Sequence, residues 1–421
     1  MRTKLAPTLL PLAACLYALC PLGVRADEPN PYYIGASETL THESNLFRTP
    51  DPLPRVSDTI SSTALFGGID QPFGRQHFVG NALASYNNFS NNSVYDNTGY
   101  GLDLNLDWAA LDKLGGNLNY ATRRTLARFN QNNVDLIPTS RIYETGQTMG
   151  LRVQYGQYGL LSIEGAANHQ TLDYSSNSDN DPAAVQYKEQ NLRQTNVSLG
   201  LKYRPSGLLT LGIAGRHTSG SYPDAVINGV QGPDDFKRDD ADLSATWVPT
   251  GISTVNARLS FSHESHEVLS QRDFRGVTGS ISWDWRPSGR LTLRTLLLHD
   301  TGGEVTFASL VPNAPLTTVG DSSRTTTSLQ IGANYEASAK IMVNASLRED
   351  WRTLVDISGA STATDNDRST LATLGAQYLP TRNVTLGCNV SFEHRTTNSN
   401  ATQTSPYSND IFSCLARFTL Q

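Results

Sequence analysis

The sequence predicts an all-β protein: a transmembrane up-and-down antiparallel β-barrel of eighteen strands, preceded by an export signal. Three observations carry that expectation. Apolar and polar residues alternate with period two along nearly the whole chain, which places one face of each strand in an apolar medium and the other in a polar one. The connections between these segments are short and long by turns. Past the first thirty residues, no stretch approaches the roughly 18 uninterrupted apolar residues that a spanning helix needs. Composition agrees: of 421 residues only 17% are charged and 38% hydrophobic, the balance being made up by Ser, Thr, Asn, Gly and Gln. Several soluble domains with packed cores, the ordinary meaning of this length, would carry more of both.

The export signal comes first. Arg2 and Lys4 precede a largely apolar run from Leu5 to Leu22, then Val24-Arg25-Ala26, then Asp27 and Glu28. This is the three-part pattern of a secretory signal peptide, with cleavage after Ala26 and residues 27–421 left as a single barrel domain. Pro7, Pro11 and Pro21 would interrupt a buried helix there, and the bulky Leu19 disfavours a lipid-anchored start at Cys20. Cleavage removes three of the 33 basic residues and none of the 39 acidic ones, so the mature chain has a formal charge of −9. A basic nucleic-acid-binding surface is therefore not indicated.

The strands follow. Leu102, Leu104, Leu106 and Trp108 alternate with Asp103, Asn105 and Asp107; Val197, Leu199, Leu201 and Tyr203 alternate with Asn196, Ser198, Gly200 and Lys202. The pattern returns in Val255, Ala257, Leu259 and Phe261, and again in Leu329, Ile331, Ala333 and Tyr335. Short connections fall at 71–74, 110–115, 156–159, 204–207, 249–252, 286–289, 337–339 and 380–382. Long polar ones fall at 47–56, 89–98, 129–139, 175–187, 221–235, 267–271, 307–319, 356–366 and 397–405. These seventeen connections make eighteen strands with both termini on the short-turn side, or sixteen strands if 267–271 does not separate two of them. The even count, with short turns at one end and long loops at the other, is the pattern of an outer-membrane barrel, in which lipid forces the sheet to close. Trp108, Tyr155, Tyr203, Trp247, Trp283, Trp285, Tyr335 and Tyr378 sit on the apolar parity beside short turns, where an interfacial aromatic girdle belongs.

The polar parity lines the lumen. It carries Asp103, Asp107, Glu164, Asp240, Asp242, Asp284 and Glu393, with Arg152, Lys202, Arg258, Arg290, Arg294, Arg348, Arg395 and Arg417. An Arg facing hydrocarbon at mid-membrane would cost about 2–4 kcal/mol, which fixes the parity. These groups can pair across the lumen and stiffen the wall, or offer a low-affinity path along which a hydroxyl-rich polymer slides, since a tightly held substrate would not leave. A barrel of this size needs something to narrow it, and 181–185 and 223–237 are candidate folded-in segments. Signs of catalysis or of a bound cofactor or metal are thin. Ser262-His263-Glu264-Ser265-His266 lacks the spacing of a helical zinc motif, and alternation points successive residues to opposite faces. Cys388 and Cys414 are equidistant from a hairpin centre near Ala401 and share the outer face, which allows a cross-strand disulfide.

Three blocks bear a resemblance. Tyr32-Tyr33-Ile34-Gly35-Ala36-Ser37-Glu38-Thr39-Leu40-Thr41-His42-Glu43-Ser44-Asn45-Leu46-Phe47 is the first; Ser57-Asp58-Thr59-Ile60 with Leu65-Phe66-Gly67-Gly68-Ile69-Asp70-Gln71-Pro72-Phe73-Gly74-Arg75-Gln76 is the second; Asn97-Thr98-Gly99-Tyr100-Gly101-Leu102 is the third. Together they resemble the EpsL-type outer-membrane barrels associated with the exosortase system and exopolysaccharide biosynthesis. The resemblance runs through nearly the whole mature chain. It implies a cell outer-membrane pore through which a newly made exopolysaccharide passes in concert with a periplasmic or inner-membrane export complex, while the order of short and long connections, with short turns inside, makes both termini periplasmic. It brings no catalytic residues. The chain departs from the usual aromatic ending read by the outer-membrane assembly machinery, because Thr419, Leu420 and Gln421 follow Phe418. A passive or carbohydrate-selective porin is the alternative function for the same architecture.

Overall fold

The structure, a computed structural model, describes residues 30–50, 53–111, 113–129, 136–156, 159–178, 180–227, 230–301, 323–355, 364–398 and 404–421. The export signal lies outside these residues, as does the expected connection at 307–319. Eighteen strands follow in chain order: β1 (Tyr32–Glu43), β2 (Asp58–Phe73), β3 (Gln76–Phe89), β4 (Asn97–Leu111), β5 (Leu114–Leu126), β6 (Ile142–Tyr155), β7 (Leu161–Ser176), β8 (Leu192–Ser206), β9 (Leu209–Ile227), β10 (Val230–Thr250), β11 (Ser253–His266), β12 (Phe274–Ser288), β13 (Leu291–Asp300), β14 (Ser323–Ser338), β15 (Ile341–Val355), β16 (Thr364–Thr381), β17 (Val384–Thr397) and β18 (Tyr407–Leu420). Each pairs antiparallel with its chain neighbours, and β1 pairs with β18 from Ile34↔Leu420 to Glu43↔Ile411. The sheet is a closed transmembrane barrel whose first and last strands pair, which satisfies the backbone where lipid offers no partner; the β9–β10 hairpin runs on past its neighbours.

The count of eighteen holds and the sixteen-strand alternative falls, because a single 3-10 turn at Ser270–Arg272 separates β11 from β12. The expected loop at 221–235 is corrected. Those residues continue β9 and β10 as a hairpin paired out to Val230↔Ile227. Its ladder shifts register between Gly232 and Asp234, where Pro233 faces Pro223 and Asp224. Neither proline has an N–H to donate, so an irregularity there costs the sheet little. Alternation in this segment is interrupted by the prolines, which made a strand read as a loop.

Cross-strand partners define two continuous faces. The outward face carries apolar side chains that project freely from the sheet, among them Leu65 (65% exposed), Leu199 (66%) and Ile213 (57%). At its short-turn edge stand Tyr155, Tyr203, Trp247, Trp283, Tyr335 and Tyr378, all exposed. Trp283 and Trp285 stack with centroids 5.2 Å apart. One carboxylate breaks the pattern. Glu38, near the middle of β1, shares the outer face with Leu40 and Ala36 and accepts hydrogen bonds from Ser61 and Thr63 on β2.

Cys388 on β17 and Cys414 on β18 are direct partners, with Cα atoms 4.1 Å apart and the sulfurs bonded. The bridge lies on the outer face, one pair away from the β1–β18 closure. Alkylation of the unfolded, unreduced mature chain is expected to leave the intact mass unchanged, and prior reduction to add two alkyl groups; two adducts without reduction would refute the bridge.

Candidate functional site

The inner face is mainly polar, with apolar side chains such as Phe66, Leu296 and Leu298 among its polar groups, and its charges are mostly answered on the wall. Lys202 donates to Glu164 at 2.6 Å, Arg294 approaches Asp284 at 3.0 Å, and Arg348 donates to Asp350 at 2.8 Å. A denser set spans β9 to β13. Arg238, 3% exposed, donates to Asp240 (3.0 Å), Asp300 (3.1 Å), Ser262, Thr278 and Thr301. Arg216 lies within 3.3 Å of both Asp240 and Asp242, and Arg258 donates to Asp300 at 3.3 Å. Buried ions of this kind are tolerable only because each finds an opposite charge and further hydrogen bonds.

Of the residues expected along the lumen, fourteen lie on the inner face of strands and one does not. Arg290 stands in the short turn between β12 and β13, since the strands end at Ser288 and resume at Leu291. Asp103 and Arg152 face the lumen with no ion-pair partner among the described residues. Asp107 accepts from Asn117 at 2.7 Å, and the Arg417 guanidinium covers the Phe66 ring at 4.6 Å. Alternation alone could have found Arg216, Arg238, Asp300, Asp350, Arg352 and Asp367, which also line the wall. Nothing local could have found Arg48 and Arg128, whose roles come from distant partners.

Those two arginines define the long-loop mouth. Glu393 on β17 accepts from Arg48 (3.1 Å), Arg128 (2.7 Å) and Tyr407 (2.7 Å). Arg48 lies in the β1–β2 loop and Arg128 just beyond β5, six places around the ring from β17. The Arg128 bond therefore spans the mouth as a chord. Arg48 is the one non-glycine with left-handed backbone among the described residues (φ 53°) and is 4% exposed. A bulky residue in that region costs about 1–3 kcal/mol and persists only where its surroundings overdetermine it. Burial opposes its charge, but Glu393 and Glu43 outweigh burial and raise its pKa. Beside this cluster, Arg352 ion-pairs with Asp367, Thr404 donates to Asp367 at 2.8 Å, and Arg395 lies over the Tyr407 ring.

An apolar cluster packs in the same region. Phe47, Tyr95 and Phe129, from three successive long loops, meet edge to face with centroids 4.9–5.7 Å apart. The β7–β8 loop adds a short helix, α1 (Pro182–Lys188), which buries Ala183, Ala184 and Tyr187 in a cluster with Leu172, Leu192 and Phe236. The expected folded-in segment 181–185 is thus the start of this helix. Asp181 caps it and clamps the neighbouring loop, accepting from the amides of Ala183 (3.1 Å), Thr139 (2.9 Å) and Ser140 (2.8 Å) and from the Ser140 hydroxyl (2.7 Å). Burial works against that carboxylate, but these bonds prevail and hold its pKa below the ordinary value. The Tyr187 hydroxyl donates to the Arg128 carbonyl at 2.6 Å, joining the helix to the chord, and burial raises its pKa.

The Ser262-to-His266 cluster divides between faces. His263 points outward, while Ser262, Glu264 and His266 share the inner face. Alternation separates His263 and Ser265 from the others but keeps Ser262, Glu264 and His266 on one face, so the sequence expectation of a fully dissolved cluster is corrected: His266 lies within hydrogen-bond distance of Glu264 (3.2 Å) and Asp234 (2.7 Å). Ser262 is committed to Asp240, so no nucleophile faces this imidazole. Among the described residues no group of three or more His, Cys, Asp or Glu is arranged to hold a metal.

No family model matches the chain, nor does any curated protein sequence. Solved structures do. The outer membrane protein opdK from Pseudomonas aeruginosa is 12% identical, with 92% of this chain and 98% of that chain covered and a TM-score of 0.46. Pseudomonas aeruginosa OccK2 (OpdF), solved in complex with glucuronate, is 12% identical, with 93% and 98% covered and a TM-score of 0.46. A BenF-like porin from Pseudomonas fluorescens Pf-5 is 11% identical, with 92% and 99% covered and a TM-score of 0.46. The barrel assignment rests on this chain's own strand pairing.

Glu393→Gln is expected to leave Arg48 and Arg128 with too little counter-charge and to loosen the mouth. The cost is up to about 3–5 kcal/mol for a buried pair, reduced for the share of half-exposed Arg128. Hydrogen exchange in 45–50 and 127–129 should accelerate while β-strand protection persists; unchanged exchange would refute the chord's role. Because the folded Asp181 pKa is depressed, its contribution is complete above the unfolded value of 3.8 and is lost as pH falls through the lower folded value. Protection factors at Thr139 and Ser140 should accordingly hold from neutral pH to about 4 and fall below it, whereas Asp181→Asn should lack this step.

Proposed function

We propose that the barrel is an outer-membrane conduit for a newly synthesised exopolysaccharide, with the long loops outside and both termini in the periplasm. The supporting observation is the chemistry of the inner wall. Its carboxylates and cationic groups largely neutralise one another, as in Glu164–Lys202, Asp284–Arg294 and the Arg238 set, leaving a surface mainly of hydroxyls, amides and paired charges. Such a wall offers a sugar polymer many weak hydrogen bonds and no deep site, the condition for passage over retention. Asp103, Asp107, Arg152, Arg258, Arg348 and Arg417 stand along that path, with Glu393 and Arg395 at the mouth. The resemblance to EpsL-type barrels supports the same substrate class, and an export complex on the periplasmic side would deliver the chain.

The mouth favours a gated conduit over a constantly open porin, because the chord to Glu393 and the aromatic layer must yield before a polymer can pass. No set of nucleophile, base and orienting group on the described inner wall supports an enzyme. Deleting the gene should cause sugar polymer to accumulate in the periplasm, and restoring the wild-type gene should clear it. Normal secretion in the deletion strain would overturn the export reading. A high, steady conductance of the purified wild-type protein in planar bilayers would favour the passive or carbohydrate-selective porin.

A further inference from the structure

Six of the eight histidines stand on the outer face of the barrel, exposed, in one zone. They are His42, His169, His217, His263, His299 and His394. All lie on odd-numbered strands, which run from the short-turn end toward the long loops, and each is eight or ten residues beyond the first residue of its strand. With about 3.3 Å of rise per residue and a tilt near 40°, that is about 20–25 Å from the short-turn end, the height at which an apolar band of about 25 Å ends. The three remaining odd strands place Tyr86, Arg124 and Trp351 ten residues beyond their own starts. All nine therefore carry an imidazole, guanidinium, phenol or indole at this level. The aromatic girdle at the short-turn end thus faces a second girdle, built mainly of imidazole, at the long-loop end.

Five of these imidazoles are oriented by the neighbouring strand through Nδ1. His42 bonds Thr59 (3.0 Å), His169 bonds Thr195 (2.8 Å), His299 bonds Thr327 (2.8 Å), His394 bonds Ser408 (2.8 Å) and His217 bonds Asp239 (2.7 Å). An imidazole fixed through one nitrogen presents the other, and Nε2 has no partner among the described residues in any of the five. Structural duty alone does not ask for an imidazole at each place, since a Thr or Tyr would fill the same outer surface.

Charges at this level are equal in number, five of each sign, so the local arrangement decides what each part of the rim meets. The outward cations at this level are Arg124, stacked on Tyr143, with Arg193, Lys237, Arg275 and Arg368; the outward acids are Asp173, Asp235, Asp239, Glu349 and Asp410. Arg193 and Arg368 are answered by Asp173 and Glu349. Lys237 and Arg275, like Asp235 and Asp410, have no ion-pair partner among the described residues, but Lys237 stands on one face with Asp235 and Asp239, which leaves Arg275 as the one of these two cations farther from a carboxylate on its own strand. In one row across β9 to β12, His217 faces Asp239, Asp239 faces His263, and His263 faces Arg275. Adjacent strands are about 4.8 Å apart, so His263 and Arg275 can grip one phosphate between them.

We infer that this rim is a docking surface for phosphorylated lipid headgroups of the leaflet at the long-loop end, with His263 and Arg275 as its principal phosphate site. Where Nδ1 accepts from the neighbouring hydroxyl, as at His42, His169, His299 and His394, Nε2–H is a donor to a headgroup, so headgroups seat at a fixed height and hold the barrel in register with the membrane. The site faces away from the lumen and is independent of what passes through it.

The test is native mass spectrometry of the purified full-length protein in detergent with diphosphorylated lipid A, with the same lipid after dephosphorylation, and with inorganic phosphate as competitor. Retention of the phosphorylated lipid but not of the dephosphorylated one is expected. His263→Gln combined with Arg275→Gln should reduce retention about tenfold or more, as loss of a charge-assisted hydrogen bond implies, and His263→Arg should preserve it. Circular dichroism and bilayer conductance of both variants should match the wild type, which separates lost binding from lost folding. Equal retention of the dephosphorylated lipid, full retention by the double variant, or complete displacement by inorganic phosphate would each overturn the inference.

Discussion

The rest of the molecule depends on the pairing of β1 with β18. In lipid a strand edge exposes amides and carbonyls that nothing will satisfy, so a spanning sheet is viable only when its first and last strands meet. Here they meet over ten consecutive residue pairs, from Ile34↔Leu420 to Glu43↔Ile411. The Cys388–Cys414 bridge holds β17 to β18 beside that seam, with Leu40 of β1 opposite Cys414. Closure also divides the side chains, since every strand then sends one parity to lipid and the other to an enclosed space.

That division explains how charges can be numerous inside a membrane protein of low overall charge. An arginine such as Arg238 sits among Asp240, Glu264 and Asp300 because curvature brings the inner parities of β10 to β13 together. Each ion would be costly alone, and the ring of partners makes the set tolerable. The outer parity follows a different rule. It is largely apolar through the band, Glu38 with Ser61 and Thr63 being an exception, and ends in aromatic residues at one edge and in imidazoles at the other, so the two edges differ in chemistry.

The mouth shows how loops acquire structure that their own sequences do not specify. Phe47, Tyr95 and Phe129 are isolated aromatics in polar segments, and only the ring brings three loops close enough to make a core of them. Arg48 accepts an unfavourable backbone conformation because Glu43 and Glu393 hold its side chain. The mouth is therefore coupled: the chord from Arg128 to Glu393, the Tyr187 hydroxyl and the Asp181 clamp share neighbours, and loosening one weakens the others.

Local alternation and its punctuation are legible in the chain alone. Period two set which residues face lipid and which face the lumen, Pro205 at the end of β8 and Gly207 in the turn after it marked one of the short connections, and symmetry about Ala401 matched the cysteines. These are properties of neighbouring residues, and a single chain displays them. The tertiary structure decided what depends on residues far apart in the chain. It turned 223–237 from an apparent loop into a paired hairpin, moved Arg290 off the wall into a turn, and brought Arg128 to Glu393, 265 positions away. It also aligned six scattered histidines into one girdle. Alternation fixes the face on which a side chain stands, but its height and its partners follow from register and closure, which no local segment encodes.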